Sequence, residues 1–148
     1  MLHLFYCLVI AASTFSKAEV FKAISGNDSG SLTKMIAKLE DLSTSSDQQA
    51  YLGTLKMKRS EQLKTAKEKL ALFKEGRSLL EKVITSSPKN AEYRFLRLMI
   101  QENAPKVLKY NTNIKEDAKL VASGYQSLAG DVRTAVVSYA KQSPNLSL

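Results

Sequence analysis

The feature that most limits the fold of this chain is the spacing of its apolar residues. From Val20 onward they recur three and four positions apart, the period of a helix, and no stretch sustains the two-residue alternation of a strand. Val20-Phe21-Lys22-Ala23-Ile24 is a short helical piece, ended by Gly26-Asn27-Asp28-Ser29-Gly30. Ser31 is the expected cap of a helix with the face Leu32, Met35, Ile36, Leu39 and Leu42. Ser43 to Ser46 reads as a polar turn, and Asp47 opens a helix running through Leu55 and Met57. Gly53 sits inside it at a cost of about 1 kcal/mol against alanine, which a helix tolerates where another backbone must come close.

Thr65-Ala66-Lys67-Glu68 has the form of a capping box at the head of the longest helix, which ends before Pro88. Two apolar seams run along it. One is Ala66, Leu70, Phe73, Leu80 and Ile84; the other is Leu72, Gly76, Leu79 and Val83, so two neighbours are expected. Asn90 caps Ala91 to Asn103, whose circumference is almost wholly apolar, and Pro105 stops it. After a connector, Asn113 and Glu116 resemble another cap, and a helix from Ile114 presents Ala118, Val121, Tyr125 and Leu128. Gly130 breaks the chain, Asp131 caps, and Val132, Ala135, Val136 and Tyr139 form the last apolar face. The fold class expected is all-α: stacked antiparallel hairpins, about six helices in one domain over 19–143, with a frayed tail at 144–148.

The N-terminus reads as a leader spanning 1–18. Leu4 to Ala12 is an apolar run too short for a membrane span, which needs about 20 residues, but long enough for the core of a secretory signal. Ser16-Lys17-Ala18 puts small residues at the two positions a signal peptidase reads, so the cut is expected after Ala18. The alternative is an apolar first helix of the fold. Cys7 follows the bulky Tyr6 and lies inside the run, unlike a lipid-modified cysteine. The expected location is therefore periplasmic or secreted, with no transmembrane span in the mature chain.

His3 and Cys7 are the only histidine and cysteine, so a chain starting at Glu19 has neither. Nucleophilic triads and dyads built on His or Cys are excluded, as are the usual zinc, haem and iron–sulfur sites. The glycine-containing loop is too short to cradle phosphate and holds one acid, too few for calcium. No catalytic residue, cofactor or metal is expected. The pairs Glu40-Asp41 and Glu116-Asp117 read as structural, the second as a complement to a helix dipole. The net charge of +8 is spread over several helices. Only Lys56, Lys58 and Arg59 cluster, with no stacking residue beside them, so nucleic acid is not an expected partner and the run reads as a solvated face.

Gly76, Leu80, Val83 and Pro88 fall at the small, bulky, small, proline spacing of the second helix of a tetratricopeptide repeat, and Leu52-Gly53 resembles a pair in its first helix. The chain thus resembles a degenerate tetratricopeptide-like stack. The strings Phe73 to Glu81 and Glu92 to Gln101 resemble small exported helical proteins of Bacteroidota-type bacteria. These resemblances imply a helical stack and an exported compartment, and no activity.

One candidate site remains. Arg94, Arg97 and Gln101 form the only polar stripe on the Ala91–Asn103 helix. Facing a groove, the two guanidinium forks would grip carboxylates bidentately, which suits an acidic peptide or protein of the cell envelope. The alternative is that they are a solvated edge, or pair with Glu75, Glu81 or Glu92. The function expected is a binding, adaptor or structural role through a helical groove; the second reading is an enzyme or small-ligand carrier with an unfamiliar site.

Overall fold

The computed structural model describes residues 15–42 and 45–148. The apolar run of the expected leader, His3, Cys7 and the Ser43-Thr44 part of the polar turn lie outside the described residues. Seven α-helices and no strand are present among them: α1 (Lys17–Gly26), α2 (Ser29–Glu40), α3 (Ser46–Ser60), α4 (Ala66–Ser86), α5 (Ala91–Asn103), α6 (Ile114–Gly124) and α7 (Gly130–Ala140). The protein is all-α. The extra helix over the six expected is α1, a full ten-residue helix where the sequence suggested a fragment.

Caps set most of the boundaries. Thr65 and Glu68 form the reciprocal capping box, and the Asn90 side chain accepts from the Tyr93 amide, both at the expected places. Four helix starts differ from the expected ones in position or cap. Asp28 rather than Ser31 caps α2, its carboxylate taking the Ser31 amide at 2.8 Å. α3, expected to open at Asp47, starts at Ser46 behind the cap Ser45. Asn113 and Asp131 cap nothing through their side chains: Asn113 is bonded across to Gln101, and α7 starts at Gly130, behind Ala129. An acid in the first turn and an acid at the cap both suit the helix dipole, so composition alone does not separate them. Asn27, at φ 52°, takes the left-handed conformation that ends α1, one that asparagine adopts more readily than most residues.

Helices α3 and α5 carry the core. Ala50, Tyr51, Leu52, Leu55 and Met57 of α3 and Phe95, Leu96, Leu98, Met99 and Ile100 of α5 are all buried. α3 packs on α1, α2, α4 and α5, and its longest contact is the antiparallel hairpin with α4. There the two mid-helix glycines face each other. A Cβ on Gly53 would meet the Gly76 carbonyl oxygen at 2.5 Å and the Leu80 amide nitrogen at 3.0 Å; one on Gly76 would press on the Gly53 carbonyl and stand 2.9 Å from the Met57 nitrogen. α5 and α6 form a second hairpin, and α7 closes against α1 and α5. The first seam of α4 stops short of its N-terminus: Ala66 and Leu70 are exposed, because the partner α3 ends at Ser60.

Both ends of the expected domain shift. Phe15 to Ala18 lie within the fold. Ser16 caps α1, Phe15 stacks edge-on against Tyr51 at 5.2 Å, and the Lys17 ammonium reaches Asp47 at 2.8 Å and Glu92 at 2.6 Å. The fold therefore takes in Phe15 to Ala18, ahead of the expected start at Glu19. The tail does not fray. Leu146 is buried, worth about 1.5–3 kcal/mol for a leucine, and Asn145 and Ser143 both donate to Glu102.

Candidate functional site

Arg94, Arg97 and Gln101 share a stripe of α5, but the stripe faces α6 instead of an open groove. Their exposures are 7%, 4% and 2%. Asp117, completely buried on α6, is the centre of the arrangement. It receives Arg94 Nη1 at 2.8 Å on Oδ1, Arg97 Nη2 at 2.8 Å on the same oxygen, and Arg97 Nε at 2.7 Å on Oδ2. The Arg97 fork is thus bidentate, the geometry that makes guanidinium–carboxylate pairs strong. Arg94 also reaches Glu116 and the Pro88 carbonyl, and Arg97 reaches Glu81 at 3.0 Å. Gln101 exchanges two hydrogen bonds with Asn113, one through the backbone amide.

Burial opposes the Arg97 charge, but the Asp117 and Glu81 carboxylates outweigh it and hold the guanidinium firmly protonated. The Tyr110 hydroxyl donates to the other oxygen of Glu81 at 2.6 Å, and burial together with that carboxylate pushes it far above its ordinary value. These groups are bonded to one another, and Arg94, Arg97, Gln101 and Asp117 keep almost no exposed surface for a partner. The expectation that Arg94, Arg97 and Gln101 bind an external ligand is corrected: they join α5 to α4 and α6. The sequence signal that identifies their partner is Asp117, beside Glu116 in the first turn of α6, which dipole complementarity accounted for too readily.

Most of the acids are likewise bonded to other groups of the protein. Nine of the 14 carboxylates are in ion pairs. Asp28 and Glu68 cap helices, and Glu102 holds Tyr139, Ser143 and Asn145. Asp41 and Asp131 alone are left without such a partner among the described residues. Lys56, expected on a solvated face, is 7% exposed and sits between Glu40 and Glu75. By contrast, only six of the 22 cations are in ion pairs among the described residues: Lys17, Lys38, Lys56, Lys58, Arg94 and Arg97. Arg59 bonds Thr33 and Arg77 stacks 4.5 Å above the Tyr110 ring. The remaining fourteen have no carboxylate partner among the described residues to offset their charge.

Two clefts border α1. One, of about 570 Å³ between α1 and α2, has Ala23 and Met35 among its lining residues together with Lys22, Lys34 and Lys38. The other, of about 250 Å³ between α1 and α7, is lined by Phe21, Met99 and Tyr139, with Lys22 and Asp131 also bordering it. No described helix is long and apolar enough to cross a membrane, and no three of the described His, Cys, Asp and Glu residues group as metal ligands. Against known proteins, no family, curated protein or solved structure matches this chain.

Proposed function

We propose that this chain is a non-catalytic helical binding module, acting outside the cytoplasm, that docks an acidic peptide or protein. The observation that carries this reading is the segregation of charge: the acids are spent on the frame while most lysines face solvent unpaired. Uncompensated cations attract anionic partners, speed their encounter and favour them over neutral ones. The export half of the reading rests on the apolar run Leu4 to Ala12. The lack of His and Cys after the expected leader supports binding over catalysis.

The test is fluorescence anisotropy with a labelled glutamate- and leucine-containing peptide, beside its glutamine and lysine counterparts. The glutamate peptide alone is expected to bind at low ionic strength. Its affinity should fall as salt shortens the Debye length from about 30 Å at 0.01 M to about 8 Å at 0.15 M. Equal binding of the three peptides, or an affinity indifferent to salt, contradicts the reading.

A further inference from the structure

We infer that the docking place is the cleft between α1 and α2, and that its occupant is an acidic peptide segment with carboxylates about 6 Å apart; this rests on the proposed function and deepens it. Lys22 comes to the cleft from α1, and Lys34 and Lys38 come from α2. Lys34 and Lys38 are one turn apart, a rise of about 6 Å. Carboxylates stand that far apart one turn along a helix, or two residues along an extended strand.

Two acids, Glu19 and Asp28, border the cleft and leave its lining a net charge of +1, but neither pairs with Lys22 or Lys34. The Asp28 carboxylate accepts from the Ser31 amide, a bond that holds it below its ordinary pKa and keeps it charged. Glu19 meets Lys38 at 3.3 Å, with both side chains half-exposed, a pair that water screens. Lys22 and Lys34 have no carboxylate partner among the described residues. Ala23 and Met35 give the cleft an apolar part for a side chain between the carboxylates. Beneath it, Val20, Leu32 and Leu39 are completely buried, so the lysine-bearing backbone is held before any partner arrives. Binding there avoids the cost of ordering the receptor.

Three alternatives fit less well. Lys67, Lys74 and Lys82 share the exposed face of α4, but a single convex helix surrounds nothing. A nucleic acid would want an aromatic platform, and the cleft has none. A lipid surface would want exposed large apolar groups around the lysines, and Leu70, Val107, Val137 and Leu148 all lie outside the cleft.

The experiment is anisotropy with the same labelled glutamate–leucine peptide on three full-length variants, each checked for an unchanged melting curve. K22E/K34E reverses the cleft, K67E/K74E reverses the α4 face by the same charge, and K22R/K34R keeps the cleft cationic. Each exposed pair contributes a few-fold, and reversal adds repulsion. K22E/K34E should therefore bind roughly tenfold more weakly than wild type or more. K67E/K74E should lose only the long-range part, which salt removes, and K22R/K34R should bind like wild type. Equal losses in the two reversed variants at 0.15 M salt, or a loss confined to K67E/K74E, would overturn the cleft while leaving the acidic partner standing. No peptide binding by any protein, or binding only to phosphatidylglycerol vesicles, would overturn both.

Discussion

The two central hairpins of this molecule are held by opposite means. α3 and α4 meet backbone to backbone, at Gly53 and Gly76, where not even a methyl group fits. α5 and α6 meet through some of the largest polar side chains available, with two arginines closing on Asp117. The first contact gains close packing along two long helices, with the single ion pair Lys56–Glu75 across it among the described residues. The second takes three charged groups out of water, which is costly unless every one is paired. A glycine contact tolerates no enlargement, whereas an ionic contact tolerates no deletion.

That contrast orders the tests. Asp117→Ala leaves Arg94 and Arg97 buried without their shared acceptor, and should destabilise by about 3–5 kcal/mol in urea unfolding. A loss like that of an exposed substitution would mean water reaches the arginines. Gly76→Leu should cost about 1–3 kcal/mol by overpacking, read as a lower melting temperature, while Gly26→Ala, with nothing within 4 Å, should not. An unchanged melt of Gly76→Leu would separate α3 from α4.

Beginning the chain at Glu19 instead of Phe15 removes the Ser16 cap and the Lys17 bridge, and should cost about 1–2 kcal/mol. Equal unfolding midpoints would detach Phe15 to Lys17 from the fold. Under the proposed export, the mature protein should accordingly start at or before Phe15 on N-terminal sequencing; a start at Glu19 would place the fold's first contacts in a removed segment.

The smallest effect is the acid limb. Burial alone would raise the Asp47 carboxyl, but bonds from Lys17 and Tyr93 outweigh it and hold it below its ordinary 3.8. A lowered folded value means its stabilisation is complete above 3.8 and lost as pH falls through that lower value. Stability should decline on acidification below about pH 4, less steeply in Asp47→Asn. Parallel curves for the two proteins would remove Asp47 from the account.

How much was legible follows the same division. The helical period, the Thr65 and Asn90 caps and the two glycines are local or steric signals, and each appears where the sequence placed it. The arginine stripe was visible as a stripe, but its direction was not. A polar strip on an apolar helix reads alike whether it meets water or a buried acid, and Asp117 lies 20 residues beyond Arg97. The exposed end of α4 was hidden for a related reason: the pattern marks which face is apolar, not where the neighbouring helix stops. The tail misled because Leu146 and Leu148, after Pro144, form no helical period that marks either for burial. The unpaired lysines stand out only once the partners of the acids are known, which requires tertiary contacts.

The central claim is that the cations inside are frame and the cations outside are left for a partner. The urea-unfolding free energy of the Arg94→Gln/Arg97→Gln double variant tests it most directly. The account predicts a loss of about 3 kcal/mol or more, since Asp117 is then buried without its counter-charges. A change within about 0.5 kcal/mol, the size of an ordinary surface substitution, would contradict it and return the two arginines to the surface as a binding stripe.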